Sequence, residues 1–205
     1  MRNRSENKIR LMLIRHGATE SNKEHRYLGK TDESLSREGI EILEKVKQNS
    51  CYPEIDCLFS SPMKRCIETA AILYPEKEIL TIQEFAEMDF GIFEGKNYLD
   101  LKNDERYQAW IDSNGTLPFP EGESREDFMK RCEQGFRRML FFLREKYPDS
   151  GVNVGAIVHG GTIMAILSRF YGGDYFDYQV PNGKGYICEL YMDKSGVRLA
   201  TPVKL

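Results

Sequence analysis

IRLMLI, residues 9–14, carries apolar side chains at both parities and runs straight into Arg15-His16-Gly17. A strand that is apolar on both faces has no solvent side, so it belongs inside a mostly parallel sheet covered by helices on each side. Two further stretches repeat the plan. DCLFSSP (56–62) and VNVGAIV (152–158) are short apolar strands, each running into a helical pattern: KRCIETAAILY after the first, and His159-Gly160-Gly161 then TIMAILSRF after the second. Strands alternating with helices through right-handed crossovers predict an α/β fold, a three-layer α/β/α sandwich on a doubly wound sheet. A length of 205 residues suits one domain spanning 1–205.

The remaining elements follow from local signals. A helix is expected soon after Gly17. Ser36 is the expected N-cap of another, with Leu35 and Ile40 as a hydrophobic staple and Leu43 and Val46 on its inner face. Ser61 is expected to cap the helix that follows the second strand, with Pro62 at its first position. A short strand is expected near 79–82, an irregular region to about 123, and a long helix from Ser124. That helix carries Phe128, Cys132, Phe136, Met139 and Leu143 on one stripe, with Asp127 near its positive end. ICELYMD and GVRLATPV read as an antiparallel C-terminal hairpin joined through Asp193-Lys194-Ser195-Gly196, which either finishes the sheet or pairs across the edge of a homodimer. Residues 1–7 read as a frayed tail.

Charge and cysteine content narrow the partners. With 29 Lys and Arg against 32 Asp and Glu, interspersed, the chain has no electrostatic case for nucleic acid or an anionic membrane. Any anion must be held by a local cluster. Five cysteines without CxxC or Cys/His spacing favour reduced, buried thiols, no metal site and a cytoplasmic location. No segment has the length of a signal h-region or a membrane span.

Ligands of doubly wound sheets sit beyond the strands' carboxyl ends, where helix N-termini also point. Three such ends deliver Arg15-His16-Gly17, Ser60-Ser61-Pro62 with Arg65 just beyond, and His159-Gly160-Gly161. One of these residues alone is ordinary surface chemistry. Two arginines and two histidines on one edge, with backbone N–H groups such as that of Gly160, suit a phosphoryl group. One histidine can attack phosphorus when neutral, and the other can donate to the equatorial oxygens. Chain order does not assign these roles, although Gly17, directly after His16, favours His16 as the unhindered nucleophile. The arginines disfavour the imidazolium and keep it reactive.

Four motifs in order resemble the histidine phosphatase superfamily, also called phosphoglycerate mutase-like: RHGATESN, SSPMKRCIETA, EMDFGIFEG and VHGG. The resemblance implies that His16 becomes phosphorylated, that Arg15, Arg65 and His159 hold the phosphoryl group, that Asn22 contacts it, and that Glu87 is the proton donor. It also implies hydrolysis with neither metal nor cofactor. Phe85, Met88, Phe90 and Phe93 surround Glu87, and burial among them raises a carboxyl pKa. Many relatives place a small polar residue near Leu28, so Gly29 is left to contact substrate through its backbone. His25 has no motif role and reads as a surface or neighbouring histidine.

Residues 95–124 are expected to arch over the site as a lid. Trp110, Asp112, Pro120, Gly122, Glu123, Ser124, Asp127, Phe128 and Arg131 resemble the α-ribazole phosphatase branch, whose substrate is a small-molecule phosphate ester. Tyr107 and Trp110 either stack on its benzimidazole or simply pack. The alternatives are a cofactor-dependent phosphoglycerate mutase, a broad-specificity sugar or nucleotide phosphatase, and a non-catalytic phosphoprotein-binding module. Against the mutase stands a lid with only Arg106 and Arg125 as arginines. His16, Glu87 and His159 together stand against the binding module.

Overall fold

In a computed structural model of the chain, which describes residues 8–49, 52–148, 151–193 and 196–205, six strands form one sheet in the order β3-β2-β4-β1-β5-β6. The strands are β1 (Lys8–Arg15), β2 (Cys57–Ser60), β3 (Ile79–Thr81), β4 (Val152–Val158), β5 (Gly185–Asp193) and β6 (Gly196–Lys204). The first four are mutually parallel, and β5 and β6 are antiparallel. The expected tail at 1–7 and the turn at 194–195 lie outside the described residues.

The double burial of β1 is visible residue by residue. Leu11 and Leu13 face the core shared with α6 (Arg125–Lys146) and α7 (Gly160–Phe170), whereas Met12 and Ile14 face α2 (Arg37–Gln48) and α3 (Lys64–Leu73). Phe128, Cys132, Phe136, Met139 and Leu143 form the buried stripe of α6. Each large apolar side chain so buried contributes about 1.5–3 kcal/mol before entropy is counted. Helices on both faces make the sandwich that the alternating pattern predicts.

Ser36 caps α2 by accepting from the Gly39 N–H at 3.0 Å, as its sequence context implies. The helix expected after Gly17 is only α1 (Glu20–Lys23), closed by a capping box between Thr19 and Asn22. The expected cap of α3 is corrected. That helix starts at Lys64 with Met63 before it, Pro62 lies outside, and the Lys64 N–H is instead met by Asp32 Oδ1 at 2.7 Å. Ser61 is withdrawn from capping because its hydroxyl lies 2.8 Å from His159.

The stretch after β3 is also more regular than its sequence suggests. Single 3-10 turns form at Gln83–Phe85 and Gly91–Phe93, followed by α4 (Tyr98–Leu101) and α5 (Glu105–Asp112). Asn97 and Asp104 start these helices with side-chain caps. A third apolar cluster then holds the segment down, with Phe93, Tyr107 and Phe119 packed against Phe128 of α6.

At the far edge, β6 carries Pro202, which has no N–H to offer a further strand, and a register shift in β5 interrupts its pairing. Cys57, Cys66, Cys132 and Cys188 are buried free thiols, and Cys51 lies outside the described residues. Among the described residues no helix is long and apolar enough to cross a membrane.

Candidate active site

Sheet order explains how distant motifs meet. β4 lies between β1 and β2, with Arg15 opposite Val158 and Ser60 opposite Ile157, so the residues that follow the three strands emerge side by side. The His16 N–H donates to Val158 O at 2.9 Å and the Ser61 N–H to Ile157 O at 2.9 Å. His16 and His159 therefore face each other, their ring centroids 5.1 Å apart.

His16 Nδ1 lies 2.7 Å from the carbonyl of Gly17. A carbonyl only accepts, so Nδ1 carries the proton and Nε2 presents a lone pair. Burial, with Arg65 and then Arg15 nearby, holds the imidazole pKa well below its ordinary value, so the ring is neutral. Gly17 itself has a packing reason: a Cβ there would sit 2.6 Å from Leu43 Cδ1 of α2.

The two arginines are gripped from behind. Arg65, fully buried, donates through NH1 to Thr31 O at 2.9 Å and through NH2 to Gly29 O at 2.8 Å. Arg15 donates through NH1 to Val180 O at 2.8 Å. Both Nε–H groups are buried and lack a hydrogen-bond partner among the described residues. Two unsatisfied, positively charged donors in one place are costly unless an anion arrives to meet them.

His159 lies with Nε2 against Ser61 Oγ and Nδ1 at 3.9 Å from Glu87 Oε2. Its pKa is also held well below the usual value, by burial first and then by Arg65 and His16. Glu87 moves the opposite way. Burial raises its pKa against the lowering pull of the Met88 N–H, Arg65 and Arg15. The carboxyl also packs tightly on α7, where a Cβ on Gly161 would come within 2.7 Å of Glu87 Oε1.

Arg131 of α6 holds the Glu87 loop in place. It donates to the carbonyls of Glu84 and Ala86 at 2.9 Å each and of Glu87 at 3.3 Å, and forms a two-pronged pair with Glu123. Glu123, Ser124, Asp127 and Arg131 are thus a scaffold for the carboxylate, with Ser124 capping α6.

The cleft in front of these groups has two lobes, both of which include Glu87, Gly161 and Met164. One, of about 520 Å³, is more polar and runs past Arg15 and Gly160 to Gln179, Val180 and Pro181. The other, of about 190 Å³, is lined chiefly by Tyr27, Phe90, Trp110, Phe119, Tyr175 and Phe176.

The structure thus brings Arg15, His16, Arg65, Glu87, His159 and Gly160 together. Asn22 stands at the margin, where its Oδ1 accepts from Asn182 at 3.0 Å and from the Thr19 N–H at 3.2 Å. Both backbone polar groups of Gly29 are occupied, the N–H on Glu94 and the carbonyl on Arg65, so its position supports Arg65. His25 is exposed on the surface. Trp110 lines the aromatic lobe while stacking on Tyr107 at an interplanar angle of 14°.

Sequence reasoning passed over residues 179–183. They reach the site because β5 runs antiparallel beside β1, which puts the loop entering β5 at the carboxyl edge. There Asn182 donates to the carbonyls of His16 and Gly17. The turn residues Pro181-Asn182-Gly183 ahead of a strand were the available signal. Among the described residues no group of three or more His, Cys, Asp or Glu is placed to hold a metal ion.

Known proteins resemble this chain in sequence and in fold. The model of the histidine phosphatase superfamily (branch 1) matches residues 11–202. The adenosylcobalamin/alpha-ribazole phosphatase of Escherichia coli is 28% identical over 169 residues, 80% of each chain. Phosphoserine phosphatase 1 of Hydrogenobacter thermophilus is 30% identical over 170 residues, covering 81% of this chain and 78% of its own. The crystal structure of a putative alpha-ribazole-5'-P phosphatase from Escherichia coli shares the fold, with a TM-score of 0.77 and 24% identity over 95% of both chains.

Proposed function

The chain belongs to the histidine phosphatase superfamily and is a phosphatase, and we propose that it hydrolyses phosphate monoesters through a phosphohistidine at His16, with α-ribazole 5′-phosphate as the substrate. The observation that carries the mechanism is the free Nε2 lone pair of a neutral His16, set beside two guanidiniums whose Nε–H groups lack partners among the described residues.

In the first step Nε2 attacks phosphorus in line, the bond to the ester oxygen breaks, and Glu87 gives its proton to that oxygen. The raised pKa of Glu87 keeps the proton available. Arg15, Arg65 and an N–H of His159 take up the charge gathering on the equatorial oxygens. In the second step Glu87 accepts a proton from water as the water attacks phosphorus. The N–P bond breaks, His16 returns to its neutral form, and inorganic phosphate leaves.

The aromatic lobe beside Glu87 supports a leaving group with a planar ring, and one relative is named for α-ribazole phosphate. A second relative is named for phosphoserine, whose small alcohol carries no ring to fill a lobe lined mainly by aromatic side chains. The lid arginine Arg106 is paired with Asp104, which leaves a bisphosphate poorly served there. Phosphate release from α-ribazole 5′-phosphate, phosphoserine, phosphoglycerates, sugar phosphates and nucleotides, compared as kcat/KM, tests the assignment. A clear preference for another ester would overturn the substrate. Undiminished release by His16→Ala would overturn the mechanism.

A further inference from the structure

Arg125, the first residue of α6, stands at the rim of the aromatic lobe, and its guanidinium carbon lies 5.7 Å from the ring centroids of both Tyr175 and Phe176. The acids around it are taken: Glu123 by Arg131, Glu126 by Lys130 and Asp127 by Ser124. Among the described residues the Arg125 side chain makes no ion pair and no hydrogen bond. A guanidinium resting on aromatic rings keeps its N–H edge available for a ligand, because the ring faces satisfy its charge without using its donors.

The aromatic lobe is too small for a whole ligand, since pockets for drug-sized molecules run from roughly 300 to 1,000 Å³. At about 190 Å³ it suits one ring system, with the phosphate and its linker in the polar lobe across Glu87. Trp110 packs into the wall of the lobe, stacked on Tyr107 with its centroid 4.8 Å from that of Phe119, and its buried indole N–H, without a partner among the described residues, is a second, uncharged donor there.

We propose that Arg125 is the specificity residue of this lobe, selecting phosphate esters whose alcohol carries a planar heteroaromatic ring that is uncharged and bears an acceptor atom. The guanidinium edge donates to the acceptor, and the same charge repels cationic leaving groups. This rests on reading the cleft as the site of a phosphomonoesterase.

The test compares the wild-type chain with Arg125→Ala and Arg125→Lys on four esters: α-ribazole 5′-phosphate, adenosine 5′-phosphate, ring-free β-glycerol phosphate and cationic phosphocholine. In Arg125→Ala the kcat/KM ratio of the ringed esters to β-glycerol phosphate falls tenfold or more, mainly through KM, while the ratio of phosphocholine to β-glycerol phosphate rises. Lysine, a compact charge without the planar fork, restores only part of the first ratio. An equal factor on all four esters would mean that Arg125 merely supports α6, and would overturn the proposal. If the wild type hydrolyses none of them, the phosphomonoesterase reading fails, and Arg125 is judged by calorimetric binding of α-ribazole. Binding lost in Arg125→Ala upholds its role, whereas equal binding, or none by the wild type, overturns it.

Discussion

Ser61 Oγ lies 2.8 Å from His159 Nε2 and also accepts weakly from the Met63 N–H at 3.4 Å. The contact fits the tautomer with the His159 proton on Nδ1, the nitrogen that faces Glu87, in which the Ser61 hydroxyl donates its hydrogen to Nε2. A strand-end serine thereby sets the tautomer of a histidine on the next strand. Ser61→Ala removes that control and leaves a buried nitrogen without its partner. We expect kcat to fall roughly tenfold, as the loss of a buried hydrogen bond of about 1–3 kcal/mol implies, with Ser61→Thr recovering most of it. Nitrogen NMR of His159 should show the two tautomers mixing in the alanine variant and a single one in the wild type.

His16 makes the complementary commitment, its Nδ1–H held by Gly17 O. The phosphoryl group is therefore expected on Nε2. Rapid acid-free quenching during turnover, followed by phosphorus NMR or mass spectrometry, should find an Nε2 phosphohistidine at this residue. His16→Ala should form none and lose activity by on the order of 10³-fold or more. Excess chelator should leave wild-type turnover unchanged, because each charged partner in the two steps is a side chain.

Both buried histidines also set how the fold responds to acid. Their folded pKa values are depressed, by burial first and by Arg65 next, so the stability they contribute is full above the unfolded value of about 6.5 and is lost as pH falls below it. Each contributes a slope of up to about 1.4 kcal/mol per pH unit. Glu87 works the other way: its folded pKa is raised, so its contribution is full below the ordinary carboxyl value and lost as pH climbs through the raised one. Two groups against one make acidification from pH 6.5 to 5 destabilising. Tm measured across that range should fall steeply in the wild type and less steeply in His159→Gln.

The Nε–H groups of Arg15 and Arg65, without partners among the described residues, give a further expectation, independent of turnover. Inorganic phosphate at 100 times its Kd should stabilise the folded chain by about 2.7 kcal/mol, read as a rise in Tm. Arg65→Met should abolish the rise. Arg15→Met should do so as well, and a rise that survives in both variants would place the anion elsewhere.

How much of this was legible beforehand depends on the range over which each signal acts. β1 could be read from its own letters, because burial on both faces leaves a local pattern, and Ser36 from the spacing of a cap and a staple. His16, Arg65 and His159 could be placed on one edge because strand ends share an edge whatever the strand order. Ser61 was misread as a helix cap because its true partner is 98 positions away, and no local pattern encodes that competition. The helices between 98 and 112 escaped for a similar reason: α4 has only four residues and is held by the aromatic cluster around Tyr107. Residues 179–183 escaped because their place depends on β5 joining the sheet antiparallel to β1.

The run from Pro120 to Arg131 changes meaning most. In the sequence it was the strongest hint of which ester is cleaved, whereas in the structure it fastens the carboxyl. Arg131 is half-buried, ties Glu123 with two hydrogen bonds and accounts for three carbonyls of the Glu84–Glu87 loop. Arg131→Met keeps much of the volume and deletes all five donations, so the loop carrying Glu87 loses its position while His16 and both phosphate-facing arginines stay where they are. The effect should follow the need for a proton. With an alkyl ester, whose alcohol cannot leave as an anion, kcat should drop about 100-fold, comparable to losing a positioned general acid. With p-nitrophenyl phosphate, whose leaving group needs no proton, the drop in phosphoenzyme formation should be several-fold at most, and the high-pH limb set by Glu87, which must be protonated to act, should shift in the pH profile of the alkyl ester. A uniform loss on both esters would show instead that Arg131 supports the whole cleft, with no separate hold on the acid.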